Sequence, residues 1–309
     1  MIRGKKGLKV ESGNSVSQLG VWIQAARPKT LPAAISPVLL GTAFAIADGA
    51  FHALAFACAI LGSVLIQIGT NFANDYQDSA RGADTEARKG PTRVTQAGLV
   101  SAEAMKRATV IAFSLAFIAG IYLIVRGGWP ILVIGLLSIA SGVAYTAGRY
   151  ALAYTGLADL FVLVFFGPVA VGGTYFVQAL VLPPEVIVAG FGPGLLATAI
   201  LLANNVRDIN EDRAANKRTL VVRFGRGFGV GFYATCILGA SFIPLILVLW
   251  TSGRNWALLA TAVALGLGMP LASTLRGTDD PMVLNPLLGK TAQLLLVYCI
   301  VFGVGRMLG

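Results

Sequence analysis

The sequence predicts an all-α protein, a polytopic membrane bundle of nine transmembrane helices in two four-helix halves plus one, with cytoplasmic cap loops. Three observations support this class. Of the 309 residues, 56% are hydrophobic and 12% are charged, whereas a soluble domain carries about 25% charge. The apolar residues form long segments, and Lys and Arg are unevenly divided among the loops between them.

Nine apolar segments are each close to the roughly 20 residues that a helix needs to cross the hydrocarbon core. We predict helices because lipid cannot satisfy the hydrogen-bonding groups at an open sheet edge. In chain order the segments cover residues 31–47, 52–74, 105–125, 129–146, 157–181, 186–206, 228–249, 256–275 and 291–308.

The distribution of positive charge predicts the topology. With the N-terminus in the cytoplasm, all of the 24 Lys and Arg residues except Arg126, Arg254 and Arg306 lie on the cytoplasmic side. This asymmetry is typical of a protein of the cell (inner) membrane with its C-terminus outside. Residues 1–26 are expected to form a basic cytoplasmic tail with a short interfacial helix around Val21-Trp22-Ile23, and residues 27–309 a single membrane domain.

A weak internal repeat relates the two predicted halves. The stretch Ala73–Asp78 aligns with Ala203–Asp208 at an offset of 130 residues, and both stretches preserve Asn and Asp. They end the second and the sixth predicted helix, on the same face of the membrane. Parallel repeats of this kind commonly place the functional site between the halves.

Half of the 14 acidic residues fall in two short windows at these helix ends. The first window contains Asp75, Asp78, Asp84 and Glu86, and the second contains Asp208, Glu211 and Asp212. Helical spacing places Asp75 and Asp78 on one face, and Asn205, Asp208 and Asp212 on another. Polar groups of a membrane helix face the bundle interior or a cavity, so the two faces are expected to oppose each other. Glu86 and Glu211 are expected to be solvated.

Opposed carboxylates predict a site for Mg²⁺, which prefers oxygen ligands and bridges to substrate phosphates. His52 is the only histidine and the three cysteines are far apart, which argues against a zinc site and a Ser-His-Asp triad. Cations follow each window, as a leaving diphosphate requires. These candidates are Arg88, Lys89, Arg93, Lys217 and Arg218. For each of them taken singly, positive-inside topology is an equally good explanation.

Long motifs around the windows resemble those of the UbiA superfamily of intramembrane aromatic prenyltransferases. The runs are NDYQDSARGADT from Asn74, GPTRVTQAG from Gly90 and NNVRDINEDRAANKRTLVVRFG from Asn204. They are most similar to the 1,4-dihydroxy-2-naphthoate polyprenyltransferases of menaquinone synthesis. One departure is Asn216, where those enzymes usually have Gly, although Asn also tolerates a left-handed backbone.

The resemblance implies a site and a reaction. The implied catalytic residues are Asp75, Asp78, Asp208 and Asp212, which with Asp84 would hold Mg²⁺ on a polyprenyl diphosphate. The implied substrate contacts are Asn74, Asn205, Arg27, Tyr145 and Tyr154, with Lys29 as a second candidate anchor for the acceptor carboxylate and Phe165 or Phe166 as further shelter for an allylic cation. The naphthoate ring would attack this cation at the carbon bearing the carboxylate, lose carbon dioxide and give demethylmenaquinone.

The expected partners are therefore polyprenyl diphosphate, an aromatic acid and the lipid bilayer, with the active site on the cytoplasmic side and no nucleic acid. Two alternatives stay open at this point. Another aromatic acceptor is the nearer one, either 4-hydroxybenzoate or the acceptor of phytyl transfer in phylloquinone synthesis. A proton-coupled transporter is the more distant one, because intramembrane acids and internal repeats also mark carriers.

Overall fold

The computed structural model describes residues 17–80, 93–146, 151–251 and 258–308. These ranges contain helices and no strand, so the predicted all-α class is confirmed. The helices are α1 (Gln18–Ala26), α2 (Leu31–Ala47), α3 (Ala53–Ala80), α4 (Ala102–Gly127), α5 (Trp129–Ala144), α6 (Leu152–Thr155), α7 (Ala158–Val164), α8 (Ala170–Ala179), α9 (Pro184–Arg207), α10 (Ile209–Ala214), α11 (Leu220–Phe224), α12 (Arg226–Thr251), α13 (Leu258–Gly277) and α14 (Pro281–Leu308).

The chain is a multi-pass membrane protein. Within the described ranges, eight helical stretches are long and apolar enough to cross a membrane, with α1 and α2 counted as one stretch and α7 and α8 as another. The predicted segment 129–146 forms α5, which has only 16 residues and is shorter than the usual span. The predicted count of nine is therefore not confirmed, and it depends on α5.

The predicted segment 157–181 is interrupted at its centre. A π-helical turn (Phe165–Val169) joins α7 to α8, and Gly167 within it has non-helical backbone angles. Pro168 follows, and proline breaks a helix because it lacks the N–H group and crowds the preceding turn. The apolar segment that hydropathy predicts as one helix therefore consists of two helices joined by a bend, and we call α7 and α8 the bent pair.

The last predicted helix, 291–308, begins ten residues earlier than expected, at Pro281. The Asp280 carboxylate accepts a hydrogen bond from the Met282 N–H at 2.9 Å, and proline suits the first turn of a helix. Polar residues in these first turns, such as Asn285 and Lys290, lower the hydropathy and hide the start from a search for apolar segments.

The main helix contacts lie within each predicted half and at the last helix. In the predicted first half α3 packs mainly on α4, in the second α9 packs mainly on α12, and α14 packs mainly on α2. A large buried core joins α2 with α8, α9, α12, α13 and α14. A smaller core joins α1, α3 and α4 with Val94 and Val100 of residues 93–101, which we call the first cap. We call residues 209–224, which contain α10 and α11, the second cap.

Glycines bring the bent pair close against α9. A Cβ atom on Gly190 would lie 2.7 Å from the Cα atom of Pro168, and one on Gly194 would lie 2.4 Å from the carbonyl oxygen of Leu163. No side chain fits at such distances, so the backbones touch. This contact fixes the position of α7, whose first turn faces the cavity described next.

Candidate active site

A cavity of about 1550 Å³ lies between the two halves. Its wall on α3 runs from Ala59 to Asp78 and changes from mainly apolar residues to polar ones toward the end of the helix. The bent pair and α5 contribute mostly apolar and aromatic side chains, while the end of α9 and the second cap contribute Asn, Asp and Lys. The cavity therefore has one polar end, formed by both acidic windows, and an extended apolar interior.

The first window divides its two described carboxylates between the cavity and the first cap. Asp78 is 1% exposed and lines the cavity. One of its oxygens is ion-paired with Arg93, and the other, Oδ1, has no hydrogen-bond partner among the described residues. Asp75 is absent from the lining and accepts the backbone N–H groups of Val94 at 3.2 Å and Thr95 at 3.0 Å. Asp78 thus faces the cavity, whereas Asp75 holds the first cap.

Two asparagines that precede these acids connect α3 to its neighbours. The Asn74 Oδ1 atom accepts a hydrogen bond from the Thr146 hydroxyl at 2.8 Å. One turn earlier, the Asn71 amide donates to the Ala26 carbonyl oxygen at 2.9 Å and to Thr30 Oγ1 at 3.0 Å. These bonds fix the junction of α1 and α2 beside the polar end of the cavity.

The second window is built around a buried arginine. Arg207 donates two hydrogen bonds of 2.6 Å to the two carboxylate oxygens of Asp208. Its remaining contacts are Asn204 Oδ1 at 2.7 Å and Asn285 Oδ1 at 2.9 Å. Sequence reasoning counted Arg207 only as a cytoplasmic loop charge. The signal that would have identified it is a cation at the end of an apolar segment, directly before Asp208, where bidentate pairing with a carboxylate is favourable.

Asp212 and Lys217 close the second window. The Lys217 ammonium lies 3.3 Å from Asp212 Oδ1 and 5.6 Å from the ring centroid of Tyr154. Burial raises the pKa of the Asp212 carboxyl to about 6, an effect that Lys217 opposes and Asp208 reinforces. Asn216, which stands where similar enzymes usually have Gly, has φ +57°. Its backbone is therefore left-handed, a conformation that both Gly and Asn tolerate. This turn brings the Lys217 backbone N–H back to the Asp212 carbonyl oxygen at 2.8 Å.

The other predicted site residues divide into three groups. The cavity lining includes Arg27, Lys29, Asn205, Tyr145, Tyr154, Phe165 and Phe166. Arg218 is exposed and does not line the cavity. Asp84, Arg88 and Lys89, as well as Glu86, lie outside the described residues. Glu211 was expected to be solvated, but it lines the cavity and its Oε2 atom is buried without a hydrogen-bond partner in the described ranges.

Sequence reasoning also missed Asp159. This residue occupies the first turn of α7, is 4% exposed and lines the cavity. Neither carboxylate oxygen has a hydrogen-bond partner within the described part of the chain. The available signal was an acid inside a predicted apolar segment, a position that usually marks function.

The donor set fits magnesium. No three His, Cys, Asp or Glu residues among those described come together as a metal-holding group; the carboxylates instead line opposite walls of one cavity. Magnesium commonly takes one or two carboxylates and completes its shell with water and substrate phosphate oxygens. The buried, unpartnered oxygens of Asp78 and Glu211 are suitable hard donors, and the C-terminal ends of α3 and α9 favour a cation.

The fold and the cavity define the class of protein: the chain belongs to the UbiA prenyltransferase family, which it matches over residues 34–282. It is similar to a protein of Escherichia coli named 1,4-dihydroxy-2-naphthoate octaprenyltransferase, at 36% identity over 296 residues, covering 94% of this chain and 96% of the relative. A protein of Bacillus subtilis with the same name is 28% identical and covers 98% and 96%.

The fold is also similar to that of a solved UbiA homolog from Archaeoglobus fulgidus bound to GPP and Mg²⁺. The TM-score is 0.68 at 15% identity, and the match covers 91% of this chain and 99% of the homolog.

Proposed function

We propose that this protein transfers a polyprenyl group from polyprenyl diphosphate to 1,4-dihydroxy-2-naphthoate with loss of carbon dioxide, giving demethylmenaquinone in its reduced form. One observation carries the proposal: both acidic windows, each with its own cation, line the polar end of a cavity whose interior is apolar and aromatic. Such a cavity suits a substrate with a charged head and a long hydrocarbon tail. The names of the relatives support the naphthoate acceptor.

The polar end would hold the diphosphate. Asp78, Asp208 and Asp212 are the proposed magnesium ligands, and the bound metal would neutralise charge that develops on the leaving diphosphate. Arg93 and Lys217 lie beside these carboxylates and are the proposed diphosphate-binding cations. The metal contact of Asp75 that the resemblance implies is left out of this proposal, because Asp75 holds the first cap and does not line the cavity. The roles of Asp84, Arg88 and Lys89 stay predictions.

The apolar interior would receive the reacting end of the prenyl chain and exclude water from the allylic cation. Tyr145, Tyr154, Phe165 and Phe166 line the cavity, and aromatic ring faces stabilise cations. The remainder of the chain would extend between helices into lipid. The active site would then lie on the cytoplasmic side of the cell membrane, where the positive-inside rule places both windows.

The acceptor would enter beside the junction of α1 and α2. Arg27 and Lys29 line the cavity there, close to Thr30, which Asn71 and Gln67 bind through its hydroxyl. A cation at this point would anchor the carboxylate of an aromatic acid. The two substrates would thus approach the centre of the cavity from different walls.

An acceptor comparison tests the proposal. Membranes containing the protein would be given radiolabelled polyprenyl diphosphate, Mg²⁺ and either 1,4-dihydroxy-2-naphthoate or 4-hydroxybenzoate. We expect a labelled quinol and released carbon dioxide with the naphthoate alone. Turnover of 4-hydroxybenzoate alone would overturn the acceptor assignment, and turnover unaffected by a magnesium chelator would overturn the role of the metal.

A further inference from the structure

Asp159 is a buried carboxylate that the diphosphate site does not use. It lines the cavity on α7, apart from both acidic windows, and its two oxygens have no hydrogen-bond partner among the described residues. A buried charge without a partner costs several kcal/mol, so such a group is retained for something that binds to it. Because Asp159 lines the cavity, the group that binds to its carboxylate is expected to belong to a substrate.

No cation is ion-paired with Asp159 in the part of the chain that the structure describes. The ionisable groups near it include the Tyr145 hydroxyl and the Cys236 thiol, and neither is hydrogen-bonded to it. The neighbouring α6 contributes Tyr154 to the same cavity. Thr198 of α9, which does not line the cavity, donates its hydroxyl to the Asp159 carbonyl oxygen at 3.5 Å.

The depth of Asp159 places it beyond the diphosphate. Thr198 precedes Asp208 by ten residues on α9, roughly 15 Å along the helix axis. The chain just before α7 contacts the second cap, where the Arg218 N–H donates to the Tyr154 carbonyl oxygen at 3.3 Å. Because the Cβ atoms of a helix tilt toward its N-terminus, we expect the Asp159 side chain to point back toward the acidic windows. The carboxylate therefore lies between the diphosphate end and the apolar interior, the region where the two substrates must meet.

Only one substrate offers a hydrogen-bond donor to this carboxylate. The diphosphate is an anion and would be repelled, and the prenyl chain is a hydrocarbon. The aromatic acid has two ring hydroxyl groups and one carboxylate; the carboxylate is attracted to Arg27 and Lys29 at the cavity wall. A hydroxyl group on the acceptor ring is the partner whose chemistry matches Asp159.

We propose that Asp159 is a catalytic base that accepts the proton of the acceptor hydroxyl next to the carbon that is alkylated. This inference rests on the proposed function. A phenolate is far more electron-rich at its ortho carbon than a phenol, so removal of this proton during attack lowers the barrier, by about 10²- to 10⁴-fold for a positioned base.

The step balances without an oxidant. The hydroxyl proton moves to Asp159, and the oxygen electrons form a ring carbonyl as the ortho carbon bonds to the prenyl carbon. The carbon–oxygen bond to diphosphate breaks, and diphosphate leaves with the electron pair. The ring carboxylate then departs as carbon dioxide, its bonding pair restores the aromatic ring, and Asp159 returns the proton to the ring oxygen. The product is a prenylated hydroquinone.

The test is Asp159→Asn, which keeps the shape of the side chain and removes its basicity. Prenyl transfer in membranes, measured without oxygen across a range of pH, should show kcat lowered at least about 100-fold near neutral pH. The KM for polyprenyl diphosphate should stay within about twofold. Because the acceptor hydroxyl ionises in solution at alkaline pH, the loss should shrink as the pH rises. A loss that is the same at every pH, or activity within threefold of wild type, would overturn the proposal.

Thr198→Val is the matched control, since it removes a buried neighbour of Asp159 without changing charge, and it should leave kcat within about threefold. If Asp159→Asn is not recovered in membranes, Asp159→Glu carries the test. Asp159→Glu keeps a carboxylate, so its kcat should be lower than that of the wild type but should still fall as the pH is lowered and the base becomes protonated. A kcat that does not fall at low pH would contradict the role. If the wild-type protein prenylates the naphthoate and Asp159→Asn does so at the same rate, this inference alone is refuted. If the wild-type protein does not use the naphthoate, the proposed function is refuted as well.

Discussion

The two acidic windows end equivalent helices with similar sequences, yet they obtain their partners differently. Asp75 and Asp78 on α3 depend on the first cap, through Val94, Thr95 and Arg93, which lie 15 to 20 residues further along the chain. In the second window Asp208 is held by its neighbour Arg207. Asp212 is likewise held by a residue only five positions away, Lys217. The carboxylates of the second window therefore pair with cations of their own segment, although Arg207 also reaches Asn285 of α14, whereas those of the first window take their partners from the cap.

This difference teaches that repeated helices do not imply repeated sites. A window whose partners are local keeps its geometry when distant parts of the chain move. A window whose partners belong to a separate segment links metal and diphosphate binding to the position of that segment. The first cap is thus expected to control the first window alone, and the following changes test that asymmetry.

The largest effect is expected where both windows act together. Asp78→Asn and Asp208→Asn should each lower prenyl transfer about 10³-fold, because each removes charge that stabilises the leaving diphosphate. The measurement is initial rate against Mg²⁺ concentration in membranes that contain equal amounts of protein. Retention of substantial activity by both variants would show that the windows do not form one site.

A large but unequal effect on stability is expected from the two cations. Arg93→Ala leaves Asp78 buried and unpaired, a change that costs about 3–5 kcal/mol for a buried pair. Lys217→Ala should cost less, because the Lys217 side chain is 17% exposed against 6% for Arg93. Thermal unfolding in detergent would compare them. Equal shifts in Tm would contradict the dependence of the first window on its cap.

Asp75→Asn separates support of the cap from binding of metal. The Asn side chain has one oxygen that can accept a hydrogen bond, but its NH₂ group would face the second backbone N–H. We therefore expect the free energy of unfolding to fall by about 1–3 kcal/mol. Proteolysis within residues 93–101 should become faster, while Mg²⁺ affinity changes less than threefold. Asp78→Asn is the control with the opposite pattern. Strongly weakened Mg²⁺ binding in Asp75→Asn would instead show that Asp75 is a ligand.

Hydropathy and spacing were sufficient for the all-α class and for the positions of the two windows, because apolar length and helical period are local properties. They did not predict the break at Pro168 or the early start of α14. They were insufficient for the roles of Asp75 and Asp78. Residues three apart on a helix differ in direction by about 60°, and here that angle divides the first cap from the cavity. Only the packing of the cap determines which side each carboxylate faces.

Asp159 and Arg207 were missed for a related reason. Arg207 looks like a positive-inside charge unless its hydrogen bonds to Asn204 on the same helix and to Asn285 of α14 are known. Asp159 lies in an apolar segment, where a single acid has little effect on the mean hydropathy. The break at Pro168 and the contact of α7 with α9 place its carboxylate in the cavity, and neither follows from the sequence pattern.

The smallest effect is expected from pH. Burial raises the pKa of Asp212 to about 6 from 3.8, so bound protons compete with Mg²⁺ below pH 6. The apparent Kd for Mg²⁺ should rise by up to about tenfold per pH unit there and change little above pH 7. Without metal the sign for stability is opposite: the folded state binds the proton more tightly, so stability should increase as the pH falls from about 6 toward 4.

Asp212→Asn should remove both pH effects, and direct Mg²⁺ titration at pH 5, 6 and 7 would measure them. Asp75→Asn serves as the matched control, because Asp75 does not line the cavity, and it should keep the dependence. A dependence that survives in Asp212→Asn would assign the titration to another group.

The dependence of Asp75 and Asp78 on the first cap has a consequence for biosynthesis. The ribosome completes α3 before it makes Arg93, Val94 and Thr95, so for that interval two carboxylates at the end of α3 have no protein partner. An uncompensated charge resists entry into hydrocarbon, and these acids would hold this end of α3 at the water interface until the cap arrives. The same contacts that shape the mature cavity would thus act earlier as an anchor that sets the depth of a newly inserted helix.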